Sequence, residues 1–122
     1  MPSNQMKYIN TTPHDINLML ETGNLVIQPS GLSFRVAADS EVVRTEQIEG
    51  HAVEVRARVF RDVIVFDGEE EVPLPDEQEG VCYIVSRITA EALPERTDLR
   101  MVDGTVRDDS GRIIGCTGLS VL

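Results

Sequence analysis

The sequence has no tryptophan, five other aromatic residues, two cysteines, two histidines and a single lysine. Each scarcity excludes something. Two cysteines, Cys82 and Cys116, cannot staple a fold of this size, and their apolar, strand-like settings read as small buried hydrophobes. Neither histidine, His14 or His51, lies at metal-ligand spacing from a cysteine, so no ordinary zinc site is expected. There is no glycine-rich phosphate loop of the Walker or dinucleotide type, and no nucleophile sits in an elbow or beside a sequence-local base. No apolar run approaches the roughly 18 residues that span a bilayer. The N-terminal stretch Met1–Lys7 lacks an apolar signal core, which leads to the expectation of a cytosolic protein. Catalytic residues, a metal and a cofactor are therefore not expected.

At 122 residues the chain is long enough for one domain with a modest core and too short for two. Its net charge is −10, unevenly spread: residues 1–80 carry six basic and fifteen acidic side chains, residues 81–122 five and six. Such acidity argues against binding DNA, RNA or an anionic membrane, which needs a net positive surface. It leaves room for one small phosphorylated ligand held by local arginines. Arginine outnumbers lysine ten to one. Its forked guanidinium suits bidentate phosphate contacts, although a genomic codon bias explains the ratio equally well.

Alternation of apolar and polar residues predicts short strands at Lys7–Asn10, Ile16–Leu20, Leu25–Ile27 and Leu32–Val36, separated by turns at Thr11–His14, Thr22–Asn24 and Pro29–Gly31. The strongest strand pattern is His51–Phe60. There Val53, Val55, Ala57 and Val59 share one face, expected to be buried, and Glu54, Arg56 and Arg58 share the other. Val63–Phe66 reads as a separate strand buried on both sides. Asp67–Gly80, rich in acid and proline, reads as a mobile surface loop, solvated rather than a lid. Val81–Val85 reads as a central strand. Ser86 is a suitable N-cap for a short helix at Ile88–Leu93, stopped by Pro94. Val106–Arg107 and Arg112–Gly115 flank a hairpin turn. The expected architecture is a single α+β domain, β-rich with mainly antiparallel strands and one or two short C-terminal helices.

The C-terminal segment holds a binding-type constellation. Ser86 and Arg87 open the helix, where unpaired N–H groups and the dipole favour an anion. Arg96 and Asp98 follow the proline, one suited to clamp a phosphate and the other to accept ribose or base hydrogens. Arg107 and Arg112 flank the hairpin turn. Tyr83, Phe60 or Phe66 would supply a stacking surface. The competing account is local: Arg96–Asp98 and Arg107–Asp109 as surface ion pairs.

Several segments, in order, resemble a phage-encoded family, the first-described type of Thoeris anti-defence protein. They are Tyr8-Ile9-Asn10-Thr11-Thr12-Pro13-His14-Asp15-Ile16, Ile27-Gln28-Pro29-Ser30-Gly31 with Arg35-Val36, and Tyr83-Ile84-Val85-Ser86. Arg96-Thr97-Asp98-Leu99 follows, then Val106-Arg107-Asp108-Asp109-Ser110-Gly111-Arg112-Ile113-Ile114-Gly115-Cys116. The likeness covers both ends and weakens between Ala37 and Gly80; Val102 stands where the family would carry a proline. The resemblance implies a sponge that sequesters cyclic ADP-ribose isomers made by TIR-domain enzymes, in some members also cyclic oligonucleotides, without degrading them. It further implies a β-rich protomer acting in the host cytoplasm as a homodimer or larger homo-oligomer, with the ligand between protomers. Tyr83, Ser86, Arg87, Arg96, Asp98, Arg107 and Arg112 become the expected ligand-binding residues. Arg96→Ala and Arg107→Ala are then expected to weaken capture with little loss of folding. The alternative is a small phage structural or protein-interaction accessory with no small-molecule ligand.

Overall fold

Ten elements follow one another along the chain: β1 (Lys7–Asn10), β2 (Ile16–Leu20), β3 (Gly23–Ile27), β4 (Leu32–Ile48), β5 (His51–Asp67), β6 (Glu70–Val72), β7 (Val81–Ile84), α1 (Arg87–Ala92), β8 (Leu99–Arg107) and β9 (Ile113–Ser120). The structure, a computed structural model, describes residues 6–122; the expectation drawn from the N-terminal stretch rests in part on Met1–Gln5, outside the described residues. The chain is a β-rich single domain with one short helix. A six-stranded sheet in the order β1-β7-β8-β9-β2-β3 curls into a half-barrel, and β4, β5 and β6 form an antiparallel sheet beside it.

The larger sheet is mixed rather than antiparallel throughout. There β1–β7, β7–β8 and β9–β2 are parallel, while β8–β9 and β2–β3 are antiparallel. The reason is the connections. α1 lies in the crossover between β7 and β8, and a parallel pair needs a crossover of that kind where an antiparallel pair needs only a tight turn. Of the one or two short C-terminal helices expected, α1 is the one present among the described residues.

β7 is the axis of the core. Its unbroken apolar sequence places Tyr83, with Val85 just beyond the strand, among Phe34, Val65, Ala90, Leu99 and Met101. Ile84, pointing the other way and fully buried, packs with Ile16, Leu18 and Cys116. A strand covered on both faces reads as a continuous apolar run, as this one does. Where β9 passes β2 the backbones come so close that a Cβ on Gly115 would lie 2.7 Å from the Asn17 carbonyl oxygen and 2.8 Å from Met19 Sδ, so only glycine fits.

Asn10 closes the half-barrel. It ends β1, at one edge of the sheet, yet its Nδ2 donates to the carbonyl of Ile27, which ends β3 at the other edge (3.0 Å), and to that of His14 (2.7 Å). Its Oδ1 accepts from the Thr12 amide at 2.9 Å, an Asx turn, and its own carbonyl accepts from the Ser30 amide at 2.9 Å. Thr11 adds a hydroxyl bond of 2.7 Å to the Ile84 carbonyl.

β4 and β5 are far longer than their sequence patterns predict. Val63–Phe66 is no separate strand but the base of a continuous β5, and Ala37–Ile48, given no element by the sequence, completes β4. The face carrying Val53, Val55, Ala57 and Val59, expected to be buried, is not: Val53 and Ala57 are exposed, and Val55 and Val59 only half-covered. Among the described residues nothing packs over this ribbon beyond its base.

Candidate functional site

Six of the seven residues singled out by the sequence fall in three places along the C-terminal segment, because the elements that carry them diverge, and the seventh, Tyr83, lies in the core. Six residues of helix, about 9 Å at 1.5 Å per residue, separate Ser86 and Arg87 from the Arg96–Asp98 turn. β8, starting at Leu99, then carries the chain about 26 Å along an extended strand to Arg107.

At the first place Ser86 caps α1. Its Oγ accepts the Thr89 amide at 3.4 Å and shares a hydrogen bond of 3.0 Å with the Thr89 hydroxyl. The hydroxyl expected to greet an anion is thereby engaged in the helix itself. Arg87 lies along the helix, its Nε 2.9 Å from Glu91 Oε1, with a side chain 76% exposed and donors to spare. Beside them is a cleft of about 210 Å³ bordered by Val85, Met101, Val102, Asp103 and Ser120.

The second place corrects the expectation for Arg96 and Asp98. They form an ion pair, but a buried one: the side chains are 14% and 7% exposed. Arg96 Nε and Nη2 meet the two carboxylate oxygens at 2.8 and 2.6 Å, and Nη1 donates to the Pro75 carbonyl at 2.7 Å. The hydrogen bond to Asp98 raises the Arg96 pKa. Three of the five guanidinium N–H donors are therefore engaged inside the chain. Arg96 fastens the acidic segment after β6 to the turn before β8, where a cleft of about 310 Å³ opens between Leu93, Pro94, Thr97, Leu99 and the C-terminal Val121 and Leu122.

The same contact overturns the reading of 67–80 as a mobile, merely solvated loop. Glu70–Val72 pairs with β5, and the Glu77 carboxylate accepts from both the amide and the hydroxyl of Thr97 at 2.8 Å. The bond from the Thr97 amide, then that from its hydroxyl, holds the Glu77 pKa below its ordinary value. A carboxylate with a lowered folded-state pKa stabilises the fold above its unfolded value, and that contribution fades as the pH falls through the lowered one. We expect the Thr97 amide proton resonance to titrate with a midpoint below the usual carboxylate range, and Glu77→Gln to abolish the titration. A midpoint at or above the usual range would contradict the tie.

At the third place the hairpin turn orders itself around Asp108, whose Oδ1 accepts from the amides of Ser110 (2.9 Å) and Arg112 (3.0 Å). Arg107 does not pair with Asp109; its Nη1 donates to the Gly111 carbonyl at 2.7 Å. Arg112 is 83% exposed and only loosely approached by Asp108, at 3.8 Å. Both guanidinium groups keep free donors at the surface.

The proposed stacking surface is differently disposed. Tyr83 is 4% exposed and packs against Phe34 with ring centroids 5.5 Å apart, so it presents no face to a ligand. Arg35 covers Phe66, 4.5 Å from its centroid, a cation–π contact. Phe60 is half-buried near the end of α1.

A groove missed by the sequence reading runs between the start of β2 and the β8–β9 hairpin. It has a volume of about 350 Å³ and is bordered by His14, Asn17, Val102, Thr105, Ile113 and Ile114. Val102 borders both this groove and the Ser86–Arg87 cleft. Asn17 Nδ2 donates to the Ile114 carbonyl at 3.2 Å, while its Oδ1 is the one buried side-chain polar atom among the described residues without a partner. Cys116, at the floor of the groove, is buried, and that burial raises its thiol pKa. No cluster of three His, Cys, Asp or Glu side chains suited to a metal occurs among the described residues, nor any helix long and apolar enough to cross a membrane.

No protein-family model matches the chain, and neither curated proteins nor solved structures yield a match.

Proposed function

We propose that the chain is a phage-encoded anti-defence protein that binds cyclic nucleotide immune signals in the host cytoplasm and holds them without turnover. The ligand class is the cyclic ADP-ribose isomers of TIR-domain enzymes, with cyclic oligonucleotides as a second class to be tried. What carries the reading is the resemblance of an ordered set of segments to the Thoeris anti-defence family. The arginines support it: Arg87, Arg107 and Arg112 keep unengaged guanidinium donors at the surface in an otherwise acidic chain. They lie at separate places on one protomer, which suits a ligand gripped between two copies. Each charge-assisted contact contributes about 1.5–3 kcal/mol and base stacking about 1–3 kcal/mol. Two or three such contacts are enough for tight capture after ordering costs.

The test is binding of purified protein to a panel of cyclic ADP-ribose isomers and cyclic di- and trinucleotides, followed by thermal shift and analysis of ligand released on denaturation. Intact ligand should be recovered from at least one member; no shift and no release across the panel would overturn the reading. Arg107→Ala and Arg112→Ala should each weaken capture about tenfold or more while leaving the melting temperature nearly unchanged. Undiminished affinity in both would show these arginines to be surface groups only.

A second reading, a protein-interaction accessory without a small ligand, is favoured by one observation: the long uncovered ribbon of β4 and β5.

A further inference from the structure

The outer part of the β4–β5 hairpin, from the Ala38–Phe60 pair to the Ile48–His51 pair, is a two-stranded ribbon about 30 Å long at 3.3 Å per residue. A tight turn at Glu49 and Gly50, both at positive φ (49° and 83°), caps it. Among the described residues β4 pairs with nothing but β5, and β6 reaches only Val65–Asp67 of β5, so both edges of the ribbon are open there. An isolated two-stranded ribbon is marginal in water; three or more strands with an apolar face are needed for independent stability. The ribbon carries half of such a face, the uncovered row Val53, Val55, Ala57 and Val59.

Its two edges are not equivalent. β4 is interrupted by a bulge at Val43, where the register jumps between Val42–Arg56 and Arg44–Val55. A bulge is a device that spoils an edge for pairing. β5 is regular from His51 to Phe60. The open edge fit to accept a strand is therefore that of β5.

We propose that the β5 edge pairs antiparallel with the β5 edge of a second copy of this chain, about a two-fold axis at Val55. The sequence around Val55 is complementary to itself in that register. Glu54 lies opposite Arg56 of the other copy and Arg56 opposite its Glu54, Val53 opposite Ala57, and His51 opposite Val59. Residues directly opposite in an antiparallel pair share a face, so the apolar rows of the two copies merge into one stripe two strands wide. The product is a four-stranded sheet, β4-β5-β5-β4, isologous as a two-fold interface must be. Glu54 and Arg56 already meet within one strand at 2.9 Å, both about half-exposed, and in the dimer each gains a partner across the axis. This inference rests on the ribbon alone and is independent of any ligand.

Two measurements on the full chain test it. First, sedimentation should give the mass of a dimer or of a multiple of it. Glu54→Arg alone and Arg56→Glu alone should each raise the dissociation constant about tenfold or more, since like charges meet twice across the axis. The combined swap E54R/R56E should restore it. Second, Val55→Cys should form a disulfide-linked dimer under mild oxidation, because the axis sets Val55 against its own copy. Val53→Cys, facing Ala57, should not; the native cysteines are both buried, and the unmodified chain serves as the control. A monomer by mass, a dimer that V55C fails to link, or equal linking by V53C would each overturn the proposal.

Discussion

Replacing Arg96 by alanine is expected to destabilise the folded chain by about 3–5 kcal/mol, the cost of leaving a buried charge without its partner. The Asp98 carboxylate is 7% exposed and takes two of its hydrogen bonds from this one guanidinium. Removing Arg96 strands that carboxylate and releases the Pro75 carbonyl, loosening the 73–80 segment from the turn before β8. A chain of this size is stable by about 5–15 kcal/mol, so the loss should be plain in urea or thermal unfolding. The double change R96M/D98L should cost much less than R96A, because two apolar groups of similar volume replace a pair whose attraction barely offsets its desolvation. Equal destabilisation by the single and double changes would contradict this account. Loss of ligand in R96A would then report loss of structure rather than of a contact. The expectation that Arg96→Ala spares folding is thus reversed, and it passes to Arg107 and Arg112 alone.

Asn10→Ala should rank with it, costing about 3–5 kcal/mol. The residue is 1% exposed, and its side chain joins opposite edges of the six-stranded sheet. Alanine leaves the Ile27 carbonyl and the Thr12 amide without this partner, each at about 1–3 kcal/mol where water cannot replace it, while the exposed His14 carbonyl keeps the Thr12 hydroxyl at 3.1 Å. Asn10→Asp keeps the shape and the bond from Thr12 but sets an acceptor against two carbonyls, so it should be as damaging. A melting temperature lower by about 10–20 °C is expected for both changes. If N10D melts like the parent chain, the amide is not what closes the half-barrel.

The sequence made the local elements legible where one signal dominated. β1 and β2 follow their alternation, α1 follows Ser86 and Pro94, and the β8–β9 hairpin follows Asp108 to Gly111. All of these depend on near neighbours. What stayed hidden depends on residues far apart in the chain. Asn10 stands before Thr-Thr-Pro, a turn signal, but nothing local reveals that its amide reaches Ile27. Arg96 and Asp98 are two residues apart, and the spacing of a clamp is also the spacing of a buried pair. Burial decided between them, and burial depends on Pro75, twenty-one residues away. The ribbon misled in the opposite sense. Val53, Val55, Ala57 and Val59 alternate as a buried face does, but the sequence does not say whether the cover comes from the same chain. The resemblance to the anti-defence family fades in the same stretch, between Ala37 and Gly80, where the ribbon lies.

The most direct measurement is the mass of the small molecule released on denaturing this protein after co-expression with an active TIR signalling enzyme. The account predicts an intact cyclic ADP-ribose isomer, recovered in stoichiometric amount and much reduced from the combined R107A/R112A variant at unchanged melting temperature. A protein that comes through this co-expression folded and empty would contradict it.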